Sequence, residues 1–240
     1  MIVSTTEVQN NFGKYLKLAE NEEIIITRNN KKVAQLIKYE NNDNFIIKEE
    51  VTGYNPHKMK VSYKEFKKIT EASENRYEYI DGYLRLMVSP TVKHQRVVRN
   101  LLVKLDNWFG DKKCEPFTAP FDVTLYKGEE IQKNINIVQP DILVICDQEE
   151  IDEEDHYQGT PALVIEVLSK TTKHRDFITK LELYRITDIK EYWIVNPFTD
   201  EINIFTFDNE NLDEIITYKK DEILKSVIYE NLKIKLSEIF

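Results

Sequence analysis

The sequence predicts a mixed α/β protein with a central sheet flanked by helices, preceded by a small unit of one helix and a β-hairpin. From about residue 60 onward, short apolar runs typical of strands alternate with amphipathic helical segments. The first forty residues contain one helical apolar stripe followed by two β-rich runs. Residues 41–58 between them are polar and include Gly53 and Pro56, which is typical of a linker. We therefore expect domains at residues 1–40 and 59–240, joined by a linker at 41–58.

The composition is that of a globular protein, because 41% of the 240 residues are hydrophobic and can fill a core. No apolar run approaches the roughly 20 residues that a membrane helix needs, and no secretory signal is visible at the start, so we expect a cytoplasmic protein. The net charge of −9 argues weakly against nucleic acid as a partner. Carboxylates that bind a metal would raise the acidic count without touching a DNA-binding face.

The two cysteines, Cys114 and Cys146, lie far apart in the sequence and match no metal-binding or redox spacing. We expect them to be ordinary reduced residues of a cytosolic protein, since disulfides are rare in that compartment.

The N-terminal unit begins with a predicted helix, for which Ser4 or Thr5 is the cap and Glu7 lies favourably in the first turn. Two β-rich runs, 23–28 and 33–37, flank a turn at Asn29-Asn30. The apolar stripe of the helix comprises Val8, Phe12, Tyr15, Leu16 and Ala19. A unit this small buries little surface alone, so we expect it to form dimers or to pack on the rest of the chain.

The larger domain opens with Ser62-Tyr63-Lys64-Glu65, a capping-box pattern at the start of a helix. The remaining predicted elements are a hairpin at 76–88 turning at Asp81-Gly82, a helix at 91–109, strands at 121–126, 141–146 and 162–168, a helix at about 173–185, and strands at 191–195 and 202–207. The end of the chain, 232–240, is expected to cover one edge of the sheet.

Two carboxylates stand in or beside predicted core strands. Asp141 opens the run Ile142-Leu143-Val144-Ile145, and Glu166 interrupts the apolar run 163–168. A carboxylate inside a core strand is costly unless a cation or partner compensates it, and two on neighbouring strands can share a Mg²⁺ ion. The alternative is that Asp141 caps a strand end while Glu166 points outward from an edge strand.

Lys180 follows Asp176 by one turn of the next helix and could project toward the carboxylate pair as an ammonium group. There it would orient an attacking water and offset phosphate charge. The alternative is a solvated lysine that pairs with Asp176.

An ordered set of motifs runs from about residue 60 to the end of the chain. The set comprises residues 77–82, Ser89-Pro90 with His94, residues 140–142, residues 164–169, Arg175-Asp176 with Lys180 and Tyr184, and residues 191–197. This set resembles the Uma-two family of restriction-endonuclease-like proteins, within the PD-(D/E)XK nuclease superfamily.

This resemblance implies a restriction-endonuclease-like fold and a phosphodiesterase that depends on Mg²⁺ or Mn²⁺. Asp141 and Glu166 would be the metal-binding carboxylates, and Glu78 an additional acidic ligand. The superfamily's lysine usually lies two residues after the strand glutamate, where this chain has Leu168. The resemblance therefore assigns the basic role to Lys180, with Lys170 and Lys173 as competitors. His94 would contact a phosphate or a carboxylate, or else serve as a structural hydrogen-bonding group.

Residues 1–40 resemble the N-terminal domain of Phd/YefM antitoxins, through residues 4–12 and 23–34. The resemblance implies a homodimer that binds operator DNA, with a toxin as a further partner. Many members have an arginine where this chain has Gln9. Arg28, Lys31 and Lys32 stand near the hairpin turn, where they would contact DNA phosphates. The alternative is a hairpin that only dimerises the nuclease.

Three functional hypotheses follow. The first is a metal-dependent DNA endonuclease fused to an antitoxin-like DNA-binding module. The second is an antitoxin-type transcriptional regulator whose nuclease-like domain is inactive. The third is an interaction scaffold without catalysis, in which changing the carboxylates alters only stability.

Overall fold

The structure is a computed structural model that describes residues 1–10, 15, 18–19, 22–28, 31–36, 58–127, 134–169, 175–208 and 211–240. The chain divides into two compact units, residues 1–55 and 56–240. The expected linker at 41–58 lies outside the described residues except for Lys58, which begins a strand.

The first unit is a small sheet with a short helix. Its elements are β1 (Ile2–Ser4), α1 (Thr5–Asn10), β2 (Ile24–Arg28) and β3 (Lys31–Leu36). Strand β2 is central, parallel to β1 and antiparallel to β3. The backbone N–H of Glu7 donates to Ser4 Oγ at 3.1 Å, which is the contact of the predicted helix cap. Val8, Tyr15, Ala19, Ile24 and Ile26 form the core, whereas Phe12, Leu16 and the turn Asn29-Asn30 lie outside the described residues.

The second unit contains three helices and thirteen strands among its described residues. None of the described helices is long and apolar enough to cross a membrane. In chain order the elements are β4 (Lys58–Lys60), α2 (Tyr63–Glu71), β5 (Tyr77–Ile80), β6 (Tyr83–Leu86), α3 (Val92–Phe109), β7 (Glu115–Thr118), β8 (Val123–Tyr126), β9 (Ile135–Val138), β10 (Ile142–Ile145), β11 (Leu163–Val167), α4 (Arg175–Ile186), β12 (Glu191–Asn196), β13 (Glu201–Asp208), β14 (Asn211–Lys219), β15 (Ile223–Lys225) and β16 (Lys233–Lys235).

These strands form a six-stranded sheet in the order β14-β13-β12-β11-β10-β7 and a five-stranded sheet in the order β4-β6-β5-β9-β8. The six-stranded sheet is mixed: β11 and β12 are parallel, and every other neighbouring pair is antiparallel. Parallel neighbours need a long crossover, which α4 supplies between β11 and β12. The mixed α/β architecture predicted from the sequence is thus confirmed.

The central strands of the six-stranded sheet are buried on both faces, which explains why their sequences are continuous apolar runs. On one face, alternate residues such as Ile165 and Trp193 pack with α3. On the other face, the alternating set that includes Val164 and Tyr192 packs with residues of α4 and of the five-stranded sheet.

The C-terminal segment packs on the α3 face of the sheet, so the expectation that it covers an edge is wrong. Its buried side chains are Leu232, Ile234, Leu236 and Ile239. Among the described strands, β16 pairs only with β15, in a separate two-stranded sheet. The apolar periodicity of this segment signals burial, but does not distinguish a sheet edge from a sheet face.

The expectation of reduced cysteines is also wrong, because Cys114 and Cys146 form a disulfide. Strands β7 and β10 are antiparallel neighbours, and Ile145 pairs with Glu115. The residues just beyond this pair are the two cysteines, whose Cα atoms lie 4.0 Å apart. Their contact depends on strand register, which cysteine spacing in the sequence does not reveal.

Candidate active site

Asp141 and Glu166 lie side by side on neighbouring strands. Ile142 of β10 pairs with Ile165 of β11, and the next antiparallel position places Asp141 opposite Glu166. The backbone N–H of Val167 donates to Asp141 Oδ2 at 2.8 Å. Because β11 lies inside the sheet, between β10 and β12, Glu166 does not stand on an edge strand. Like charges placed opposite each other destabilise a sheet, so this pair requires a compensating cation.

Lys180 supplies positive charge to this pair. Its Nζ lies 2.7 Å from Glu166 Oε1 and 2.7 Å from Glu78 Oε1. The lysine is 6% exposed, so it is not the solvated helix lysine of the alternative interpretation. Burial lowers the pKa of Lys180, but the charges of Glu166 and Glu78 and their hydrogen bonds outweigh burial and raise it above its usual value. This shift favours the ammonium form of Lys180.

Glu78 enters the site from the five-stranded sheet, where it lies on β5 and is 6% exposed. Besides Lys180, it is held by the backbone N–H of Gln139, which donates to Glu78 Oε1 at 3.1 Å. The site thus joins the five-stranded and the six-stranded sheet around one ammonium group.

The surroundings of Glu166 affect its ionisation. Burial, together with the charges of Asp141 and Glu78, outweighs the charge of Lys180 and raises the pKa of Glu166 above its usual value. One ammonium group does not fully compensate three carboxylates in a buried space. The site consequently favours a further cation.

His94 lies in the first turn of α3, behind Asp141. Thr91 caps this helix by accepting a hydrogen bond from the His94 backbone N–H, and His94 Nε2 lies 3.1 Å from Asp141 Oδ2. Burial lowers the pKa of His94, but the hydrogen bond and charge of Asp141, with the charge of Glu166, raise it above its usual value. His94 Nδ1 is buried and has no hydrogen-bond partner among the described residues. Of the two proposed contacts of this histidine, the structure shows the one with a carboxylate.

Tyr184 also contacts the site, although the sequence reasoning gave it no role. Its hydroxyl donates to Glu166 Oε1 at 3.0 Å, and its side chain is fully buried. Tyr184 follows Lys180 by four residues on α4, so both side chains lie on one helix face. That spacing was the signal in the sequence. Burial, with the charges of Glu166, Tyr192 and Glu78, raises the pKa of Tyr184 well above its usual value, which keeps the hydroxyl a donor.

The donor atoms of this site fit a hard divalent cation. Within the described part of the chain, Asp141 Oδ1 and Glu166 Oε2 accept no hydrogen bond and remain available as ligands. No three His, Cys, Asp or Glu side chains among the described residues group closely enough to form a protein-only cage. Mg²⁺ typically takes one or two carboxylates and retains several waters, which matches a site of this kind.

The other predicted site residues belong to the first unit or lie outside the described residues. Arg28 ends β2, and Lys31 and Lys32 begin β3; Arg28 pairs with Lys31, and all three are exposed. The structure thus groups three basic side chains at one end of the hairpin. The competing lysines, Lys170 and Lys173, lie outside the described residues.

Comparisons with known proteins bear on the fold and the family of the chain. A solved chain from Anabaena variabilis ATCC 29413, described as a "putative nuclease belonging to DUF820", shares the fold, with a TM-score of 0.57 and 15% identity over 70% of this chain and 91% of its own. Two uncharacterized proteins of Synechocystis sp. are related in sequence. One, slr1290, is 24% identical over 69% of this chain and 84% of its own; the other, sll1609, is 26% identical over 53% and 70%.

Two family models match the chain in the order expected. The model of the Phd/YefM antitoxins of type II toxin-antitoxin systems matches residues 1–51, so the N-terminus is antitoxin-like. The Uma2 model, described as "Putative restriction endonuclease", matches residues 63–237, well over half of the chain. The resemblance on which the sequence analysis relied is therefore confirmed, and the chain belongs to the Uma2 family of restriction-endonuclease-like proteins.

Proposed function

We propose that the second unit is a Mg²⁺-dependent DNA endonuclease, which also accepts Mn²⁺, and that the first unit delivers it to DNA. The observation that supports this most directly is the convergence of Glu78, Asp141, Glu166 and Lys180 from both sheets and α4 on one buried site. A structural role alone would not require the buried Glu78 and the partly buried Asp141 and Glu166 around one ammonium group, since such groups are expensive to bury.

In this proposal Asp141 and Glu166 bind the divalent cation, which would polarise the phosphate and lower the pKa of an attacking water. Lys180 holds Glu78 and Glu166 in place and limits their mutual repulsion. The two carboxylate contacts of Lys180 and its burial direct its ammonium group to the protein, so it would act on these carboxylates and not directly on the phosphate. His94 and the Val167 N–H hold Asp141 Oδ2.

The first unit would bind DNA through Arg28, Lys31 and Lys32. These exposed side chains at one hairpin end suit contacts with backbone phosphates, which provide affinity without reading sequence. In a homodimer two such groups of basic side chains would contact the same DNA duplex. Replacing all three by glutamine should weaken binding to unrelated duplexes equally and reduce its salt dependence.

Cleavage of supercoiled plasmid, duplex DNA and single-stranded DNA with Mg²⁺ or Mn²⁺ tests the nuclease. Wild type should nick DNA, whereas Asp141→Asn and Glu166→Gln should lose activity at least a hundredfold. Glu182→Gln is the matched control, because Glu182 lies on α4 but is exposed and pairs with Arg185. Mn²⁺ should also raise the melting temperature of wild type and of Glu182→Gln, but not of Asp141→Asn.

The second candidate function is a DNA-binding regulator with an inactive nuclease-like domain. It is favoured by Leu168, which packs against the core where the superfamily has its lysine. The regulator would be the better interpretation if the folded wild-type protein shifts duplex DNA but cleaves no substrate and gains no stability from Mn²⁺.

A further inference from the structure

Glu166 accepts two hydrogen bonds on one of its oxygens. Lys180 Nζ lies 2.7 Å from Oε1, and the Tyr184 hydroxyl lies 3.0 Å from the same atom. Both donors come from one face of α4. Within the described part of the chain, Oε2 accepts none.

Asp141 is held in the same way. Its Oδ2 receives the Val167 N–H at 2.8 Å and lies 3.1 Å from His94 Nε2, while Oδ1 accepts no hydrogen bond from a described residue. Each carboxylate thus has one oxygen fixed by two donors and one oxygen left available. Hydrogen bonds of this kind orient metal ligands in proteins.

We propose that Tyr184 is a positioning residue, whose hydroxyl fixes Glu166 Oε1 so that Oε2 is presented to the divalent cation. This inference rests on the proposed function, in which Glu166 is a metal ligand. Tyr184 acts through Glu166 and not on DNA, because its side chain is fully buried.

The two hydrogen-bond donors to Glu166 Oε1 differ in how well they orient the carboxylate. The ammonium of Lys180 is a compact point charge on a flexible stem, so it attracts the carboxylate but sets its orientation poorly. The hydroxyl of Tyr184 stands at the end of a rigid ring. That ring packs edge-on against Tyr192, with centroids 4.9 Å apart and an interplanar angle of 71°. The tyrosine therefore defines the direction in which Oε2 points.

The test compares Tyr184→Phe with Tyr157→Phe in the full chain. Tyr157 is also fully buried and also donates to a carboxylate, Asp147, but Asp147 lies beyond the opposite end of β10 from Asp141. Both variants lose one buried hydroxyl-carboxylate hydrogen bond, so both should melt at lower temperatures without metal. Calorimetric titration with Mn²⁺ should show about tenfold weaker binding for Tyr184→Phe and an unchanged Kd for Tyr157→Phe.

Cleavage kinetics give a second readout. Tyr184→Phe should require more Mn²⁺ for half-maximal activity, with the KM for DNA unchanged. Equal Mn²⁺ affinity of wild type and Tyr184→Phe, in a wild type that binds metal and cleaves DNA, would overturn the positioning role and leave the nuclease intact. A wild type that neither binds Mn²⁺ nor cleaves DNA would overturn the proposed function, and this inference with it.

A third variant separates positioning from general damage to the fold. In a Glu166→Gln background, where the ligand is already lost, Tyr184→Phe should weaken residual Mn²⁺ binding no further. Additive weakening in the double variant would mean that the tyrosine acts through the fold at large, and would contradict the proposal.

Discussion

Lys180 compensates two carboxylates that belong to different sheets. Glu78 and Glu166 both lie 2.7 Å from its ammonium group, and all three side chains are largely buried. Removing one member of a buried ion pair leaves an uncompensated charge and costs about 3 to 5 kcal/mol.

We therefore expect Lys180→Met to lose about 3 to 5 kcal/mol of unfolding free energy in EDTA, as measured by urea denaturation at pH 7. The double variant Glu78→Gln/Lys180→Met should recover part of this loss, because one of the two stranded charges is gone. If Lys180→Met loses less than about 1 kcal/mol of unfolding free energy, the prediction is wrong, because a loss that small is typical of a solvent-exposed ion pair.

The residues of the site were predicted better than their contacts. Asp141 and Glu166 could be identified because a carboxylate beside or inside an apolar strand needs a compensating cation. The pairing of Lys180 with Glu78 could not, because it joins positions about one hundred residues apart, one on helix α4 and the other on the five-stranded sheet. Tyr184 was missed because a tyrosine on a helix is ordinarily a core residue, and only the position of Glu166 gives its hydroxyl a partner.

At the scale of elements, the start of α2 shows how a local pattern fixes a boundary. The Glu65 N–H donates to Ser62 Oγ at 3.3 Å, and the Ser62 N–H donates to Glu65 Oε2 at 2.8 Å. The sequence predicted this capping box because all its contacts lie within four residues.

Ser62→Ala should cost about 1 kcal/mol of unfolding free energy at pH 7, since the helix loses its cap. The Ser62 hydrogen bonds hold the pKa of Glu65 below its ordinary value of 4.5. A lowered pKa gives stability that is present above the unfolded pKa and is lost as the pH falls through the folded one. The difference between wild type and Ser62→Ala in chemical denaturation should therefore shrink from pH 7 to pH 3. An equal difference in unfolding free energy at both pH values would show that Glu65 does not contribute to the helix cap.

The disulfide connects the edge strand β7 to β10 across a sequence separation of 32 residues. Closing a loop of this length stabilises a protein by about 3 to 4 kcal/mol in the chain-entropy model. Reduction should lower the melting temperature, and Cys114→Ser/Cys146→Ser should melt at that lower temperature with or without reductant. Two titratable thiols in the denatured, unreduced protein would show instead that the cysteines are not paired.

Elements with a strong hydrophobic periodicity were predicted from the sequence. Elements whose position depends on pairing with neighbouring strands were not. Helix α3 was visible from its apolar stripe and from Gly110 at its end, and the structure shows that Thr91 is its cap and not its first residue. Strand β7 contains a proline and pairs on one side only, so it resembles a loop in the sequence. Strand β14 is an exposed edge strand, so its sequence pattern is determined more by contact with solvent than by packing in a core.

At the scale of the whole molecule, each unit has its own hydrophobic core. The described core of the first unit contains residues 3–36 only, and those of the second contain residues 61–240 only. Separate cores are the mark of units that can fold independently.

A fragment of residues 56–240 should therefore melt cooperatively and gain stability from Mn²⁺ as the full chain does. Once bound to DNA, the fragment should nick it at the same rate as the full chain. Its affinity for DNA should be lower, because it lacks the basic hairpin. Gel shifts and circular dichroism on both proteins measure these two properties. A fragment that is unfolded in isolation would show that the second unit depends on the first.

The position of the C-terminal segment has a consequence for biosynthesis. Leu232, Ile234, Leu236 and Ile239 complete the core between α3 and the six-stranded sheet, and Glu191 of β12 accepts hydrogen bonds from the backbone N–H groups of Val227 and Ile228. A ribosome adds residues at about 5 to 20 per second, and N-terminal domains generally fold first. The first unit can fold while the second is still being translated. The sheet that holds Asp141 and Glu166, however, lacks part of its core until Ile239 has emerged, so the candidate site is completed later than the first unit.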